Sequence, residues 1–381
     1  MSDKETYIGA MSGTSLDGVD AVLADLGDPG MTGGSLPILR GSVHHDFDNA
    51  LRQRLLALCA GEPVTLQELG EVEQLVTRAY ARAVDALLQQ TATPPAAVRA
   101  IGAHGQTVHH QPSGAERFTM QLLDPNRLAV TCGIAVVADF RRRDMALGGQ
   151  GAPLAPGFHD VALRHATRTR VVLNAGGIAN ISLLVPGQPC NGFDTGPANI
   201  LMDAWIGARR GKRFDRDGAW AAQGRVHGAL LALYLADPYF AQSAPKSTGR
   251  EYFHLAWLQA RLAELPGPAP SDEDVQRTLL ELTVHTVADA VQAACANLAA
   301  PPGDLLVCGG GASNPQLLQQ LAARLTSWSV ESTAAHGIPP DAMEALAFAV
   351  FSQRTVHGLP GNLPGVTGAS MPCVLGALYL H

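Results

Sequence analysis

Residues 7–24 read YIGAMSGTSLDGVDAVLA, and the design of this stretch returns later in the chain. Two short apolar runs, Tyr7 to Met11 and Val19 to Leu23, flank a turn of glycine, hydroxyl and acidic residues, which is typical of a strand, a tight turn and a strand. Gly13 and Gly18 permit positive φ and close backbone approach, so the tip could wrap an anion such as a nucleotide phosphate. The same residue types favour an ordinary hairpin turn, so this stretch alone leaves both interpretations open.

Two carboxylates, Asp17 and Asp20, follow the glycine turn. Carboxylate oxygens are the ligands that Mg²⁺ prefers, bound directly or through water. The sequence therefore predicts a Mg²⁺ site at this tip, provided that the tip holds phosphates.

Composition limits the function classes. The chain has 381 residues, of which 46% are hydrophobic and 16% charged, enough to bury the cores of two domains. A net charge of -7 without a basic run argues against nucleic acid and an anionic membrane as partners. No apolar run reaches the roughly 20 residues of a membrane span, and six scattered cysteines without CxxC spacing suit a reducing compartment. We therefore expect a cytoplasmic protein.

A second strand, glycine turn and strand occupies residues 170–185, RVVLNAGGIANISLLV, with Gly176 and Gly177 at its tip. The shared pattern predicts a duplicated α/β domain with a cleft between the copies and phosphates held by both tips. We expect an N-terminal domain over residues 1–133, to which 362–381 returns, and a C-terminal domain over 134–361. Further elements are predicted as strands at 38–47, 98–103, 134–140 and 305–308, and as helices from Thr65 to Pro94, from Ser271, over 316–325 and over 340–349.

A polar loop is predicted at residues 104–110, HGQTVHH, after the strand over 98–103. Loops at the carboxyl ends of strands in α/β sheets commonly hold ligands, so Gln106 and Thr107 are candidate substrate contacts. The three histidines invite a metal interpretation, but no further ligand is evident at a suitable spacing. The next such strand end carries Arg141, Arg142 and Arg143, of which at least one is expected to bind an anion or carboxylate.

Asp194 lies between an apolar strand and a helix that starts near Pro197. It is either a general base kept ionised by the helix dipole or, like Thr195, a cap of that helix. Later, Gly309, Gly310 and Gly311 stand between a strand and a helix and offer bare backbone to a flat ring or a phosphate. Glu344 sits among alanines on an apolar helix, where it either faces a cleft or pairs with an arginine.

The combination of these motifs, in order over nearly the whole chain, closely resembles the anhydro-N-acetylmuramic acid kinase family of the actin, Hsp70 and sugar kinase superfamily. The motifs are the tip at 11–20, Gly105 to Thr107, Asp139 to Arg141, Gly148 to Pro153, Gly176 to Ile181, Phe193 to Asn199, Gly309 to Asn314 and Leu363 to Ser370. The resemblance implies two duplicated actin-like ATPase (ribonuclease H-like) domains with a central cleft, ATP and Mg²⁺ as cofactors, an amino sugar as substrate and a homodimer. It also implies an enzyme of cell-wall recycling that opens the 1,6-anhydro ring with water and phosphorylates O6.

Residue roles follow from the same resemblance. Asp194 would be the catalytic base, and the substrate contacts would be Gln106, Thr107, Arg141 and Glu344, with Arg143 an alternative to Arg141. ATP and its phosphates would be bound by Gly13, Thr14, Ser15, Leu16, Asp17, Gly18, Val19, Asp20, Gly176, Gly177, Gly309, Gly310, Gly311 and Asn314, with Mg²⁺ at Asp17 and Asp20. Two other functions stay open: a kinase for a simple amino sugar, and a nucleotide-driven binding protein of the actin or Hsp70 type. A serine hydrolase is disfavoured, because no GxSxG elbow frames Ser12 or Ser15.

Overall fold

The computed structural model describes residues 4–13, 15–30, 36–244, 246–296, 298 and 303–381. The chain divides into two compact units. The first unit comprises Met1–Leu163 and Ala342–His381, and the second comprises Arg164–Asp341. No helix in the described part of the chain is both long and apolar enough to cross a membrane. All six cysteines are free thiols.

Twelve strands and twelve α-helices occur within the described residues. The strands are β1 (Glu5–Ser12), β2 (Gly18–Leu26), β3 (Ile38–Asp46), β4 (Ala100–Gln111), β5 (Phe118–Leu122), β6 (Val136–Ala138), β7 (Arg170–Ala175), β8 (Ile178–Leu184), β9 (Asn191–Pro197), β10 (Asp304–Cys308), β11 (Ser329–Ser332) and β12 (Ala377–Tyr379). The helices are α1 (Asn49–Cys59), α2 (Leu66–Gln90), α3 (Pro125–Cys132), α4 (Arg142–Ala146), α5 (Ala155–Leu163), α6 (Asn199–Arg210), α7 (Gly228–Leu235), α8 (Leu255–Ala263), α9 (Asp272–Cys295), α10 (Pro315–Arg324), α11 (Met343–Val356) and α12 (Pro364–Thr367).

The two units contain sheets that share five strands of the same order and direction, and the first sheet adds β5 and β12. The first sheet has the order β12-β6-β4-β1-β2-β3, with β5 paired to β4, and the second has the order β11-β10-β7-β8-β9. In each unit an antiparallel three-strand meander is followed by parallel strands on the side of its first strand. The predicted duplication is therefore present as a repeated order of strands, although the two sequences differ.

The unit boundaries differ from those predicted at 133/134 and 361/362. Residues 134–163 and 342–361 belong to the first unit, because β6 pairs with both β4 and β12 and because α11 packs against β1, β2 and β4. Short strand β6 and the alanine-rich helix α11 carry no sequence signal of the sheet that they join. Their membership is decided by long-range pairing.

The polar loop predicted at residues 104–110 is wrong. Strand β4 continues to Gln111 and pairs antiparallel with β5, so these residues form a two-stranded extension of the sheet. Gly105 has φ +79°, and the register between β4 and β5 shifts between Thr107 and His109. The frequent polar side chains hid a strand that is largely buried, with His104, Gly105, Gln106 and Val108 inside and His109 exposed.

Helix α11 lies unusually close to the first sheet. Gly9 on β1 is paired with Gly102 on β4, and both glycines face this helix. A Cβ added to Gly9 would lie 1.8 Å from the carbonyl oxygen of Ala345, and one added to Gly102 would lie 2.0 Å from that of Phe348. The absence of two side chains on the sheet therefore sets the position of the helix that carries Glu344.

Candidate functional site

Among the described residues of the tip between β1 and β2, Leu16 lies in the left-handed region. Leu16 has φ +54° and a buried side chain, and its N–H donates to the carbonyl of Gly13 at 3.4 Å. Among the described residues, a Cβ at Gly13 would meet only the Ser15 hydroxyl, at 3.8 Å, whereas a Cβ at Gly18 would lie 2.3 Å from the His45 carbonyl oxygen. Gly13 thus leaves room for a ligand, while Gly18 is required by packing against β3.

The other residues that were predicted to bind phosphate or Mg²⁺ at this tip differ in burial and in hydrogen-bond partners. Thr14 lies outside the described residues, and Val19 is buried in the core of the first unit. The Ser15 hydroxyl donates to Asp17 Oδ1 at 2.6 Å, and Asp20 Oδ1 lies 2.7 Å from His44 Nδ1. Asp17 and Asp20 present carboxylate oxygens, the donor class that suits Mg²⁺, and the described residues contain no cluster of three or more metal-ligand side chains. Mg²⁺ is commonly held by one or two carboxylates together with phosphates and water, so these two residues fit it.

Gln106 lies on β4 and forms hydrogen bonds to the tip between β1 and β2. Its side chain is 1% exposed, and Oε1 accepts a hydrogen bond from the Ser12 hydroxyl at 2.5 Å. Its Nε2 donates to the carbonyls of Gly13 at 3.3 Å and Thr107 at 3.0 Å. Thr107 is half-buried and accepts from Gln121 Nε2 at 3.2 Å. The amide of Gln106 is therefore engaged in shaping the backbone that would meet phosphates.

Arg141 is fixed by two acceptors at the end of β6. Its Nε donates to His104 Nε2 at 2.9 Å, and its Nη1 donates to the Gly151 carbonyl at 2.7 Å. This arrangement requires the neutral His104 tautomer whose Nδ1–H donates to the Gly105 carbonyl, at 2.8 Å. Burial and then the Arg141 guanidinium lower the pKa of His104 well below its usual value, which keeps the ring neutral. His104 is thus an orienting acceptor for Arg141, a role that its sequence context did not indicate.

Arg141 is a buried cation that interacts with the Glu344 carboxylate. Burial lowers the pKa of Arg141 to about 10, so the guanidinium stays cationic at neutral pH. Glu344 lies in the first turn of α11, and part of its surface is accessible to solvent. Desolvation by the surrounding protein atoms raises its pKa. The positive charge of Arg141 lowers that pKa, and the negative charge of Asp20 raises it. Arg142 and Arg143 are exposed, and Arg142 Nε lies 3.7 Å from Asp139 Oδ1. Of the three arginines, Arg141 is the one with a constrained geometry.

Two acidic residues near Arg141, Asp139 and Asp144, had no role predicted from the sequence. Asp139, a non-glycine residue, has φ +64° at the turn after β6, a strained conformation that tends to occur at functional sites. Asp144 is 0% exposed and ties the glycine loop after α4 to the C-terminal segment. Its Oδ2 accepts from Gly151 N at 2.8 Å, and its Oδ1 accepts from Asn362 Nδ2 and the Thr367 hydroxyl, each at 2.7 Å. Asp144 therefore holds the loop whose Gly151 carbonyl orients Arg141.

Asp144→Asn is expected to lower the free energy of unfolding by about 3 kcal/mol, because an amide nitrogen at either oxygen position would face a buried donor. Urea denaturation measures the change. Asp341→Asn, at an exposed carboxylate, is the matched control and should stay within about 0.5 kcal/mol of the parent protein. Equal stability of the two variants would contradict the assignment.

Asp194 is held within β9 by three hydrogen bonds. Its N–H donates to the Lys246 carbonyl at 3.1 Å, and its carbonyl accepts from the Tyr239 hydroxyl at 2.8 Å. Its Oδ2 accepts from Thr248 N at 3.0 Å. The cap alternative is wrong, because α6 begins at Asn199 after Ala198, without a side-chain cap, and because Thr195 Oγ1 donates to the Ala179 carbonyl.

The surroundings of the Asp194 carboxylate alter its pKa. Burial raises its pKa, the Thr248 N–H lowers it, and the negative charge of Glu251 raises it again. The net shift is upward from the usual aspartate value. A carboxylate with a raised pKa accepts a proton more readily than an unperturbed one.

The glycine turns of the second unit differ in accessibility. The carbonyl of Gly176 accepts from Asn199 N, and that of Gly177 accepts from Ala198 N and Ile200 N, so this tip is joined to the start of α6. A Cβ at Gly309, which has φ +72°, would lie 2.4 Å from Asn174 Oδ1, and one at Gly311 would lie 2.5 Å from Ala175 Cβ. At Gly310 the nearest atom would be 3.6 Å away. Packing therefore requires glycine at 309 and 311, while Gly310 leaves backbone open.

Asn314 is the N-cap of α10. Its Oδ1 accepts from Gln316 N at 3.1 Å and from Leu317 N at 3.2 Å.

The histidines after Gly105 have structural contacts, since His109 stacks on Phe118 and His110 Nδ1 lies 3.0 Å from the Thr119 hydroxyl.

Comparison with known proteins places these features in a family. The family model described as anhydro-N-acetylmuramic acid kinase matches residues 5–381. Solved structures with similar folds include the (R)-2-hydroxyglutaryl-CoA dehydratase component A of Acidaminococcus fermentans, with 10% identity, a TM-score of 0.43 and coverage of 91% of this chain and 97% of that one. Another is a ROK family glucokinase from Streptomyces griseus in complex with glucose and AMPPNP, with 13% identity, a TM-score of 0.36 and coverage of 90% and 99%.

At such low TM-scores the structural likenesses support no inference about function. The family model, in contrast, spans nearly the whole chain and includes every predicted site residue. The chain belongs to the anhydro-N-acetylmuramic acid kinase family, a family of phosphotransferases.

Proposed function

We propose that this protein converts 1,6-anhydro-N-acetylmuramic acid, ATP and water to N-acetylmuramic acid 6-phosphate and ADP. The observation that carries the proposal is the family match over residues 5–381, which includes Asp194, the aspartate clamped by three hydrogen bonds. We assign the reaction to recycling of the cell-wall sugar in the cytoplasm, by a protein that acts as a homodimer.

Asp194 is the general base in this mechanism. Its carboxylate takes a proton from the attacking water, whose oxygen forms a bond to the anomeric carbon while the bond between that carbon and O6 breaks. The freed O6 attacks the γ-phosphorus of ATP, and ADP leaves with the electron pair of the broken P–O bond. The raised pKa of Asp194 suits a group that accepts a proton in the transition state and returns it to solvent.

Phosphate binding is assigned to the glycine tips. Residues 13–20 and the pair Gly176 and Gly177 contribute backbone N–H groups, and Gly309 to Gly311 with Asn314 receive the adenosine. Mg²⁺, held through Asp17 and Asp20, would neutralise charge on the transferring phosphoryl group. Phosphoryl transfer depends mainly on positioning, which the backbone N–H groups of the tips would supply, and on charge neutralisation, which Mg²⁺ would supply. Gln106 contributes by bracing the first tip.

Arg141 is assigned to the lactyl carboxylate of the sugar, with Thr107 and Glu344 as further sugar contacts. His104 and Gly151 take two of its donors, and no hydrogen bond joins its Nη2 to a described residue. A planar guanidinium oriented in this way suits a carboxylate, which it can bind with two parallel hydrogen bonds.

Arg141→Lys is expected to raise the KM for the sugar about 10- to 100-fold, because lysine loses the oriented fork worth about 1.5–3 kcal/mol. Steady-state kinetics at saturating ATP measure the effect, and the KM for ATP should remain unchanged. Arg143→Lys, at an exposed position in the same helical turn, is the control. A larger sugar effect at Arg143 would transfer the carboxylate contact to that residue.

The reaction is tested by mass spectrometry of products formed from Mg-ATP and the anhydro sugar in ordinary and ¹⁸O-labelled water. The proposal predicts a sugar phosphate with the label at the anomeric oxygen. Phosphorylation without label would indicate a simple sugar kinase. ADP release with unchanged sugar would indicate a nucleotide-driven binding protein.

A further inference from the structure

Strand β9, which carries Asp194, lies at the edge of its sheet. Edge strands leave backbone N–H and C=O groups that need partners outside the sheet. At Asp194 both groups are satisfied by one segment: the N–H donates to the Lys246 carbonyl at 3.1 Å, and the C=O accepts from the Tyr239 hydroxyl at 2.8 Å. Thr248 N, two residues beyond Lys246, reaches the carboxylate itself. Tyr239, Lys246 and Thr248 form what we call the Asp194 clamp.

Tyr239 is the member of the clamp that acts through a side chain. The Lys246 and Thr248 contacts to Asp194 use backbone atoms, so substitution does not remove them directly. The substitution Tyr239→Phe, by contrast, removes the hydroxyl and keeps both the backbone and the aromatic ring. Tyr239 therefore gives experimental access to the clamp.

A buried carboxylate anchors the start of the clamp segment. Asp237 is 2% exposed, and its Oδ1 accepts from Tyr239 N at 3.0 Å and from the Tyr252 hydroxyl at 2.7 Å. Its Oδ2 accepts from Trp257 Nε1 at 2.9 Å and from Arg261 Nη2 at 3.3 Å. Four donors on one buried carboxylate fix the backbone at Tyr239, because each would lose a charge-assisted hydrogen bond if the segment moved.

The Tyr239 ring is held as firmly as its backbone. Phe253, which is fully buried, packs edge-on against it at a centroid distance of 5.6 Å. The Lys246 ammonium lies 4.7 Å from the ring centroid and donates to the carbonyls of Tyr239 and Phe240, each at 3.3 Å. Lys246 thus joins the two ends of the segment, and the Tyr239 hydroxyl is oriented toward the Asp194 carbonyl.

We propose that Tyr239 is a positioning residue for Asp194: its hydroxyl holds the Asp194 backbone carbonyl, so that the carboxylate keeps its bond to Thr248 and its aim at the attacking water. The inference rests on the proposed function for its kinetic consequence, whereas the geometry of the clamp does not. The titratable group that acts on the pKa of Asp194 is Glu251. Burial and the Asp194 charge raise the pKa of Tyr239, and the Lys246 ammonium donates to main-chain carbonyls.

Tyr239→Phe tests the proposal, with Tyr234→Phe as its matched control. Tyr234 is 0% exposed and belongs to the same core, but its hydroxyl has no hydrogen-bond partner among the described residues. Tyr239→Phe is expected to lower kcat about 10- to 100-fold, the loss typical of a misplaced catalytic group, with both KM values within about twofold. Tyr234→Phe should leave kcat unchanged.

The pH profile separates positioning from a general loss of structure. Release of the clamp weakens the Thr248 N–H bond that lowers the pKa of Asp194, so that pKa rises and the acidic limb of kcat/KM moves to higher pH in Tyr239→Phe. Thermal unfolding of both variants is measured alongside. An unchanged acidic limb, or a loss of kcat that Tyr234→Phe shares, would overturn the proposal.

A titration that needs no substrate distinguishes this inference from the proposed function. With ¹³Cγ-labelled aspartate, the Asp194 carboxyl signal is identified by its loss in Asp194→Asn and followed by NMR against pH. We expect a higher pKa in Tyr239→Phe and the parent value in Tyr234→Phe. If the parent protein makes no labelled sugar phosphate, the proposed function fails, and this titration still decides the clamp: equal Asp194 pKa values in all three proteins would refute it.

Discussion

Asp194→Asn is expected to lower turnover of the anhydro sugar by about 10²- to 10⁴-fold, the usual loss of a general base. Asparagine matches aspartate in size and retains an oxygen for the Thr248 N–H, so the clamp and the fold should persist. ATP affinity should therefore stay within a few-fold of the parent value, measured by isothermal titration calorimetry. Near-normal turnover in this variant would exclude Asp194 as the base.

The pH dependence of the parent protein follows from the same residue. A base works when it is deprotonated, and the pKa of Asp194 is raised, so activity should fall with acidification at a pH above the usual range of aspartate titration. Glu251→Gln is a useful companion, because loss of the nearby negative charge favours ionised Asp194 and lowers its pKa. Turnover should then be retained while the acidic limb of kcat/KM moves to lower pH. A shift of that limb to higher pH would contradict the assigned influence of Glu251.

Gly9→Ala is expected to lower the free energy of unfolding by about 3 kcal/mol or more, at the upper end of overpacking effects. Its new Cβ would lie 1.8 Å from the Ala345 carbonyl oxygen and 2.6 Å from Ala349 N, both backbone atoms of α11. Backbone at this distance relieves the clash only if the whole helix moves. Urea denaturation of the purified variant measures the loss of stability. A variant that is recovered only as insoluble protein would also agree with the predicted loss.

Gly70→Ala is the matched control for this change. Gly70 lies within α2, is exposed, and has nothing within 4 Å of an added Cβ. Alanine there should raise stability by about 0.5–1 kcal/mol, because glycine is a poor helix former. If Gly9→Ala were as stable as the parent protein, the close packing of α11 on β1 would be wrong.

Local sequence determined the elements whose signals are short-range. Thr65 accepts from Glu68 N as the N-cap of α2, and Val72, Val76, Ala83 and Leu87 are buried at helical spacing. The two β-hairpins with glycine tips were likewise predicted, because their alternation of apolar runs and turn residues is contained within about 20 residues. The family motifs are also short stretches of sequence, and they indicated a kinase without any tertiary contact.

Tertiary structure decided everything that depends on partners distant in sequence. The bonds of Asp194 come from Tyr239, Lys246 and Thr248, more than forty residues away, and aromatic or lysine side chains in that segment gave no sign of their target. Residues 104–110 formed a strand instead of a loop because β5 supplied a pairing edge. Arg141 was distinguished from its two neighbours by the acceptors His104 and Gly151.

One physical reason explains why local sequence determined some features and tertiary structure decided the others. Caps, turns and amphipathic periods act over a few residues, so the sequence itself contains both partners of each interaction. Sheet membership, buried hydrogen-bond networks and the pKa of a carboxylate depend on groups that only the folded chain brings together. The sequence by itself therefore determined which family the chain belongs to, and the tertiary structure decided which backbone and side-chain groups hold Asp194 and Arg141 in place.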